Sequence, residues 1–323
     1  MPFRQPTLPL ALLTLALATG AAASEYRESE DFADAVAATR AYAERFGADE
    51  TLLVVDIDNT LLTMQGDLGS DQWFEWQEHL LEHEPASPHL VADDFGGLLE
   101  AQGLLFRLGK MRPPQENLPK LVREVQGLGV PTLVLTSRGP GFRPSTEREI
   151  AAAGYDFAST CLAIQGVPEG VFMPYDPKKP SEVGLTADEL RLFALRKPRE
   201  ASLANGVFMT SGQHKGAMLL TALHRAERMP KAVVFVDDHG RHVHRVYDAL
   251  VRRGVETTVV HYRREDDRVA RFRYGDKGEV TRRWRRLESA IEEVFELPQK
   301  TAEAQETHDH ASALAPSEAG AAH

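Results

Sequence analysis

Three short uninterrupted apolar runs, each closing on a polar residue, organise the hydrophobic pattern of the chain. They are Leu52-Leu53-Val54-Val55 before Asp56, Thr132-Leu133-Val134-Leu135 before Thr136, and Ala232-Val233-Val234-Phe235-Val236 before Asp237. A sheet with one wet face alternates apolar and polar positions; these runs do not, so they predict strands of a parallel sheet buried on both faces. Between them the period changes. Phe32, Val36, Tyr42 and Phe46 recur near helical spacing and stop at Gly47, which predicts a helix over 29–46. Leu118, Leu121, Val122, Val125 and Leu128 predict another that ends around 127–129. Further helices are expected over 146–153, 215–228 and 241–253, the last feeding a strand over 257–261. Strand and helix in alternation call for an α/β fold, a three-layer Rossmann-like parallel sheet with right-handed crossovers. Ligands bind outside the carboxyl ends of such strands, so Asp56, Thr136 and Asp237 are expected to converge.

Two connections are longer than a crossover helix requires. Asp56 and Thr136 stand 80 positions apart, and Thr136 and Lys215 stand 79 apart. Insertions are therefore expected at about 63–112 and 155–205, either able to form a mainly helical cap. The first carries Trp73, Phe74, Trp76, Leu80 and Leu81 after a candidate N-cap at Ser70, with His79, His83 and His89 beyond. Its aromatic spacing is that of a helix core rather than a stacking platform. The second holds Pro168, Pro174, Pro177, Pro180 and Pro198 and is expected to be loop-rich.

Composition narrows the function classes. Of 323 residues 42% are hydrophobic, 26% charged and 7% aromatic, which excludes a collagen-like, wholly disordered or multi-span membrane protein. The lone Cys161 precludes an intramolecular disulfide. A formal charge of −11 argues against general nucleic-acid binding, and means that an anionic substrate needs a local positive centre. Residues 1–23 combine Arg4, an apolar run from Leu8 to Ala18, and Ala21 and Ala23 at cleavage-site spacing. They read as a secretory signal peptide, which implies a periplasmic or secreted protein with no stable membrane insertion after cleavage. The main domain is expected over 24–298. The segment 299–323 has almost no large apolar residue and is expected to be a disordered tail. Residues 263–286 hold ten basic against five acidic side chains, which reads as a solvated helix face.

Four constellations carry candidate chemistry. In Asp56-Ile57-Asp58-Asn59-Thr60 the two carboxylates sit at i and i+2, so an extended segment points both to one side. Thr136-Ser137-Arg138-Gly139 sets hydroxyls and a cation at a strand terminus, where they can bind a phosphoryl oxygen. Lys215 in Gly212-Gln213-His214-Lys215-Gly216 opens a helix. Asp237-Asp238 closes a buried strand, where adjacent carboxylates suggest a cation. Each of these has a common structural explanation when taken alone.

In that order they resemble the haloacid dehalogenase-like hydrolase superfamily, over roughly residues 50–262. Asp56-Ile57-Asp58-Asn59-Thr60-Leu61-Leu62, followed by Gly69-Ser70-Asp71-Gln72-Trp73-Phe74, is similar to a branch of secreted or envelope proteins of Gram-negative bacteria. The resemblance implies the same roles that the residue types suggest. Asp56 is the expected nucleophile, forming an acyl phosphate that water then cleaves. Asp58 is the expected acid and base, with a pKa raised by neighbouring carboxylates. Asp56, Asp58, Asp237 and Asp238 against Lys215 leave −3, and at about 5 Å in a dielectric of about 20 each unit repulsion is roughly 3 kcal/mol. A phosphate dianion therefore needs Mg²⁺, with Asp56, Asp237, Asp238 and a backbone carbonyl that the family pattern assigns to Asp58 as ligands. Thr136, Ser137, Arg138 and Lys215 are the expected substrate contacts, joined by Arg143. His239, His242 and His244 do not share one helix face well, which weighs against a transition-metal site. The expectation is a Mg²⁺-dependent phosphatase of a small phosphomonoester. A catalytically inactive scaffold of the bacterial envelope and a phosphoacceptor signalling domain are the alternatives.

Overall fold

A computed structural model describes residues 24–295 other than Gln165 and Val167. The expected signal peptide and the whole of the expected tail lie outside the described residues. The chain opens with β1 (Glu25–Ser29), a turn, and α1 (Ala33–Phe46), then enters the first buried strand, β2 (Thr51–Val55). It leaves the sheet through β3 (Thr63–Met64), α2 (Asp71–His83) and α3 (Phe95–Leu108), and returns through β4 (Met111–Arg112), which pairs antiparallel with β3. α4 (Leu118–Gly127) leads to β5 (Thr132–Thr136), and α5 (Arg143–Ala152) leads to an irregular stretch that holds α6 (Ala187–Leu192). The hairpin β6 (Ser202–Ala204) and β7 (Val207–Met209) follows. Then come α7 (Lys215–Arg225), β8 (Ala232–Asp237), α8 (Gly240–Val251) and β9 (Glu256–Tyr262), and two closing helices, α9 (Asp266–Tyr274) and α10 (Gly278–Val294).

Among the described residues seven strands form one sheet in the order β1-β9-β8-β2-β5-β7-β6, parallel throughout except for the β6–β7 pair. β2 lies at its centre, with Leu53 opposite Val234 of β8 and Val55 opposite Val134 of β5. The unbroken apolar runs are explained by a core on each face. Leu53, Val55, Val134 and Val234 meet α1, α4 and α5, whereas Leu52, Val54, Leu133 and Phe235 meet α7 and α8. The fold is thus α/β, with helices covering both faces of a mostly parallel sheet.

Three strands differ from the sequence expectation. Residues 29–46 are not one helix: Ser29 ends β1 and the helix begins at Ala33, after Asp31 Oδ1 accepts the Ala33 N–H at 2.9 Å. β1 reads Glu-Tyr-Arg-Glu-Ser at the edge of the sheet and is largely exposed, so it carries no apolar run. β6 and β7 fall at and beyond the end of the expected 155–205 insertion yet belong to the main sheet. Asn205 and Gly206 join them with φ of 51° and 74°, the pair that a tight hairpin turn requires. The rest of that stretch packs on the α7 side through Phe172, Tyr175, Val183 and Phe193.

Residues 63–112 form a roof over the carboxyl ends of the strands, and the apolar side of the C-terminal segment supports it while most of the segment's basic side chains stay exposed. Trp73, Leu98 and Leu105 of α2 and α3 pack with Phe272, Val280 and Trp284 of α9 and α10. Arg268 donates to the oxygens of Met64 and Gly66 at 2.7 and 2.8 Å, fixing the stem. Among the described residues no helix is long and apolar enough to cross a membrane.

Candidate functional site at the carboxyl ends of the strands

Asp56 follows β2 directly, and its N–H donates to the Val236 carbonyl at 3.0 Å, so the ladder still holds its backbone. The chain then folds back on itself. The N–H groups of Leu61 and Leu62 both donate to the Ile57 carbonyl at 2.9 Å, and Asn59 takes a left-handed φ of 52°. Asp237 ends β8, and its Oδ1 accepts the His239 N–H at 2.8 Å. The next N–H, of Asp238, donates to Thr60 Oγ1 at 3.1 Å and ties the two loops together. Lys215 completes the floor: its Nζ donates to Asp56 Oδ1 at 2.5 Å and to Asp237 Oδ2 at 2.7 Å. The adjacent Gly216 explains how a lysine comes to lie so deep. A Cβ there would stand 2.2 Å from the Arg245 carbonyl oxygen, so only glycine lets α7 approach α8 this closely.

Burial and pairing oppose each other on this floor. Burial pushes Asp56 up to about 7 despite the attraction of Lys215. Burial acts on Asp237 too, but there Lys215 and His242 outweigh it and hold the carboxylate ionised, well below the usual range. Burial likewise opposes the charge of Lys215, yet Asp237 and Asp56 prevail and keep it an ammonium.

The Thr136-Ser137-Arg138 segment differs in detail from the expectation. Arg138 does not offer its guanidinium to the cavity as a free anion site. Its Nε and Nη2 donate to the two oxygens of Asp58 at 2.9 and 2.7 Å, its Nη1 donates to Thr146 Oγ1, and the Phe106 ring lies 4.0 Å away. The charged partner of Asp58 is therefore a cation. Thr136 Oγ1 accepts the Arg138 N–H at 3.1 Å beneath the floor, and the hydroxyl at the cavity wall is that of Ser137. Ser137 Oγ is buried without a hydrogen-bond partner among the described residues. Arg143 is not at the site. Its Nη2 donates to the carbonyls of Ser202 and Val207 at 2.9 and 3.0 Å, tying α5 to the β6–β7 hairpin.

Floor and roof enclose a cavity of about 810 Å³. Of the roof aromatics Trp73 is core, whereas Phe74 lines the cavity, as do Phe95 and Phe106. Asp71, Glu75 and Glu78 line it as well, and so do His239 and His242 from the loop and helix after β8. These residues were not among the expected site residues. The available signals were the four-residue spacing of Asp71 and Glu75 and the position of His239 directly after Asp237-Asp238. His239 Nε2 lies 2.9 Å from Asp71 Oδ2. Asp238, followed by Asp71, pushes His239 up to about 11 against the effect of burial, so a cation bound at its ring nitrogen would have to displace a proton. Burial raises Glu75 and Glu78, and the charge of Asp71 adds to it.

Asp56, Asp237 and Asp238 each bring a carboxylate oxygen within 4.8 Å of the others, and Asp238 Oδ1 is buried with no hydrogen-bond partner. Three hard oxygen donors of this kind suit Mg²⁺. The three carboxylates present fit such an ion.

Residues 28–296 match the protein family described as "Protein of unknown function (DUF2608)", and the chain belongs to that family. No curated protein and no solved structure matches the chain.

Proposed function

We propose that this protein is a Mg²⁺-dependent phosphatase of the haloacid dehalogenase-like type, exported by its first 23 residues, that hydrolyses a small phosphomonoester through an aspartyl-phosphate at Asp56. One observation carries the reading: Asp56, Lys215 and Asp237, drawn from three distant segments, meet within 2.5 and 2.7 Å at the carboxyl ends of the central strands. A carboxylate that serves only structure has no need of a cavity of about 810 Å³ above it.

In this reading a carboxylate oxygen of Asp56 attacks phosphorus, the bond from phosphorus to the ester oxygen breaks, and the leaving alkoxide takes a proton from Asp58. Water then attacks the acyl phosphate and gives a proton to Asp58, and Asp56 is released with inorganic phosphate. Each oxygen of Asp58 accepts one bond from Arg138, which fixes the carboxyl group and leaves a lone pair for the travelling proton. Lys215 screens the nucleophile from the incoming phosphate, and Ser137 Oγ is free to donate to a phosphoryl oxygen. Mg²⁺ held by Asp56, Asp237 and Asp238 supplies the positive charge that the acidic floor lacks. The roof bounds the cavity and so limits the size of the leaving group.

The test is hydrolysis of p-nitrophenyl phosphate and a panel of sugar phosphates and nucleotides, with Mg²⁺ or EDTA, beside Asp56→Asn. Turnover is expected only with Mg²⁺ and an intact Asp56, and turnover that survives both EDTA and the substitution rejects the mechanism. No turnover on any panel member favours the scaffold reading. A lasting phosphoryl adduct without turnover favours the signalling one.

A further inference from the structure

We propose that Asp71 and Glu75 of the roof and His239 of the floor form a second divalent-cation site, suited to a borderline ion such as Zn²⁺ or Mn²⁺, that fastens roof to floor. The inference stands on donor geometry and does not depend on the phosphatase reading.

Asp71 and Glu75 stand four residues apart on α2 and therefore on one face of the helix. His239 comes from a different element, the loop that caps α8. The three bring one ligand atom each within 4.8 Å of one another. His239 Nε2 stands 2.9 Å from Asp71 Oδ2 and 3.8 Å from Glu75 Oε1. Donors around one tetrahedral ion, at bond lengths of about 2.0 Å, lie about 3.3 Å apart, between those two distances. An imidazole with two carboxylates is also a softer set than the three carboxylates of the Mg²⁺ site, which favours Zn²⁺ or Mn²⁺ over Mg²⁺.

An ordinary ion pair accounts for less of this. A hydrogen bond from His239 satisfies Asp71 alone, while Glu75 Oε1 and Asp238 Oδ2, the latter 3.9 Å away, converge on the same nitrogen beyond hydrogen-bond reach. Glu75 is held from behind, its other oxygen 3.5 Å from Arg273 Nη2. One further group beside the cluster lacks a partner: the Asp238 side chain is 11% exposed with its Oδ1 unbonded, whereas His242 Nδ1 faces the floor, 3.5 Å from Asp237 Oδ2. The His242 ring centroid lies 5.3 Å from that of His239. Asp238 also belongs to the Asp56-Asp237-Asp238 set, so its carboxylate lies between the two sites.

The experiment is equilibrium dialysis of the whole protein against Zn²⁺ in a large excess of Mg²⁺, with metal content measured per chain. One retained Zn²⁺ is expected. His239→Gln and Glu75→Gln should each weaken its retention about tenfold to a hundredfold, whereas Asp237→Asn should retain it. Co²⁺ in place of Zn²⁺ should give a visible absorption band that changes in His239→Gln. The proposal is overturned if no Zn²⁺ is retained, if retention is equal in both variants and the parent, or if Zn²⁺ is lost with Asp237→Asn and kept without His239. Glu75→Gln alters a partly exposed helix position and keeps the test decisive should His239→Gln fail to fold. Turnover is not read, so a failed phosphatase assay and a failed dialysis remain separate results.

Discussion

On the floor of the cavity Asp56, Asp237 and Lys215 hold one another at 2.5 and 2.7 Å, and the backbone of a parallel ladder fixes the strand ends that carry the two carboxylates. On the roof Asp71, Glu75 and Glu78 ride a single helix that is held in place by apolar contacts of Trp73 and Leu98 with Phe272 and Trp284. Floor charges are interdependent because they are dry, and removing one leaves another uncompensated. Roof charges border the open cavity, so each can be lost at little cost, but the helix that presents them depends on side chains far along the chain.

The largest expected effect tests whether chemistry belongs to the floor. Asp56→Asn should lower turnover of a phosphomonoester about a thousandfold or more in a steady-state assay. A smaller drop would mean that the nucleophile lies elsewhere. Lys215→Met should cost about 3–5 kcal/mol in urea unfolding under EDTA, with part regained on adding Mg²⁺. Unchanged stability would break the idea that floor charges depend on each other. For the roof, Trp284→Ala should cost about 3 kcal/mol and raise KM more than it lowers kcat. An equal effect on kcat would move the roof into the chemistry.

Two arginines sharpen the comparison further, since the sequence treats them alike. Arg138→Gln frees Asp58 and should lower kcat about a hundredfold. Arg143→Gln unties α5 from the β6–β7 hairpin and should cost about 1–2 kcal/mol of stability with kcat nearly unchanged. The smallest effect lies outside the cavity. Burial acts to raise Glu189, but hydrogen bonds from Arg253 and Thr186 outweigh it and hold the group below its ordinary 4.5. A carboxylate lowered in the folded state contributes fully above its unfolded value, and the contribution is lost as pH falls through the lowered one. Unfolding free energy should therefore decline below about pH 4.5 less steeply in Glu189→Gln than in the parent. Parallel acid limbs would refute the assignment.

Legibility in the sequence followed burial. β2, β5 and β8 are covered on both faces and appear as unbroken apolar runs. Edge strand β1 is largely exposed and β6 only partly buried, and neither left such a run, whereas β7 is fully buried but only three residues long. The convergence of Asp56, Lys215, Asp237 and Asp238 could be anticipated because each ends or directly follows a strand or opens a helix, and the topology of a parallel sheet gathers such positions. That of Asp71, Glu75 and His239 could not, because nothing local tells which face of α2 turns toward the loop after β8.

What the sequence determined by itself was the α/β alternation and the order of the residues at the carboxyl edge, since period and strand termination are local properties of the chain. What only the tertiary structure decided was pairing: Arg138 with Asp58 rather than the cavity, Arg143 with the hairpin, and α2 with α9 and α10. The physical reason is that a guanidinium or an apolar helix face can be satisfied by many partners of equal chemistry. Only the packed fold selects the one within reach.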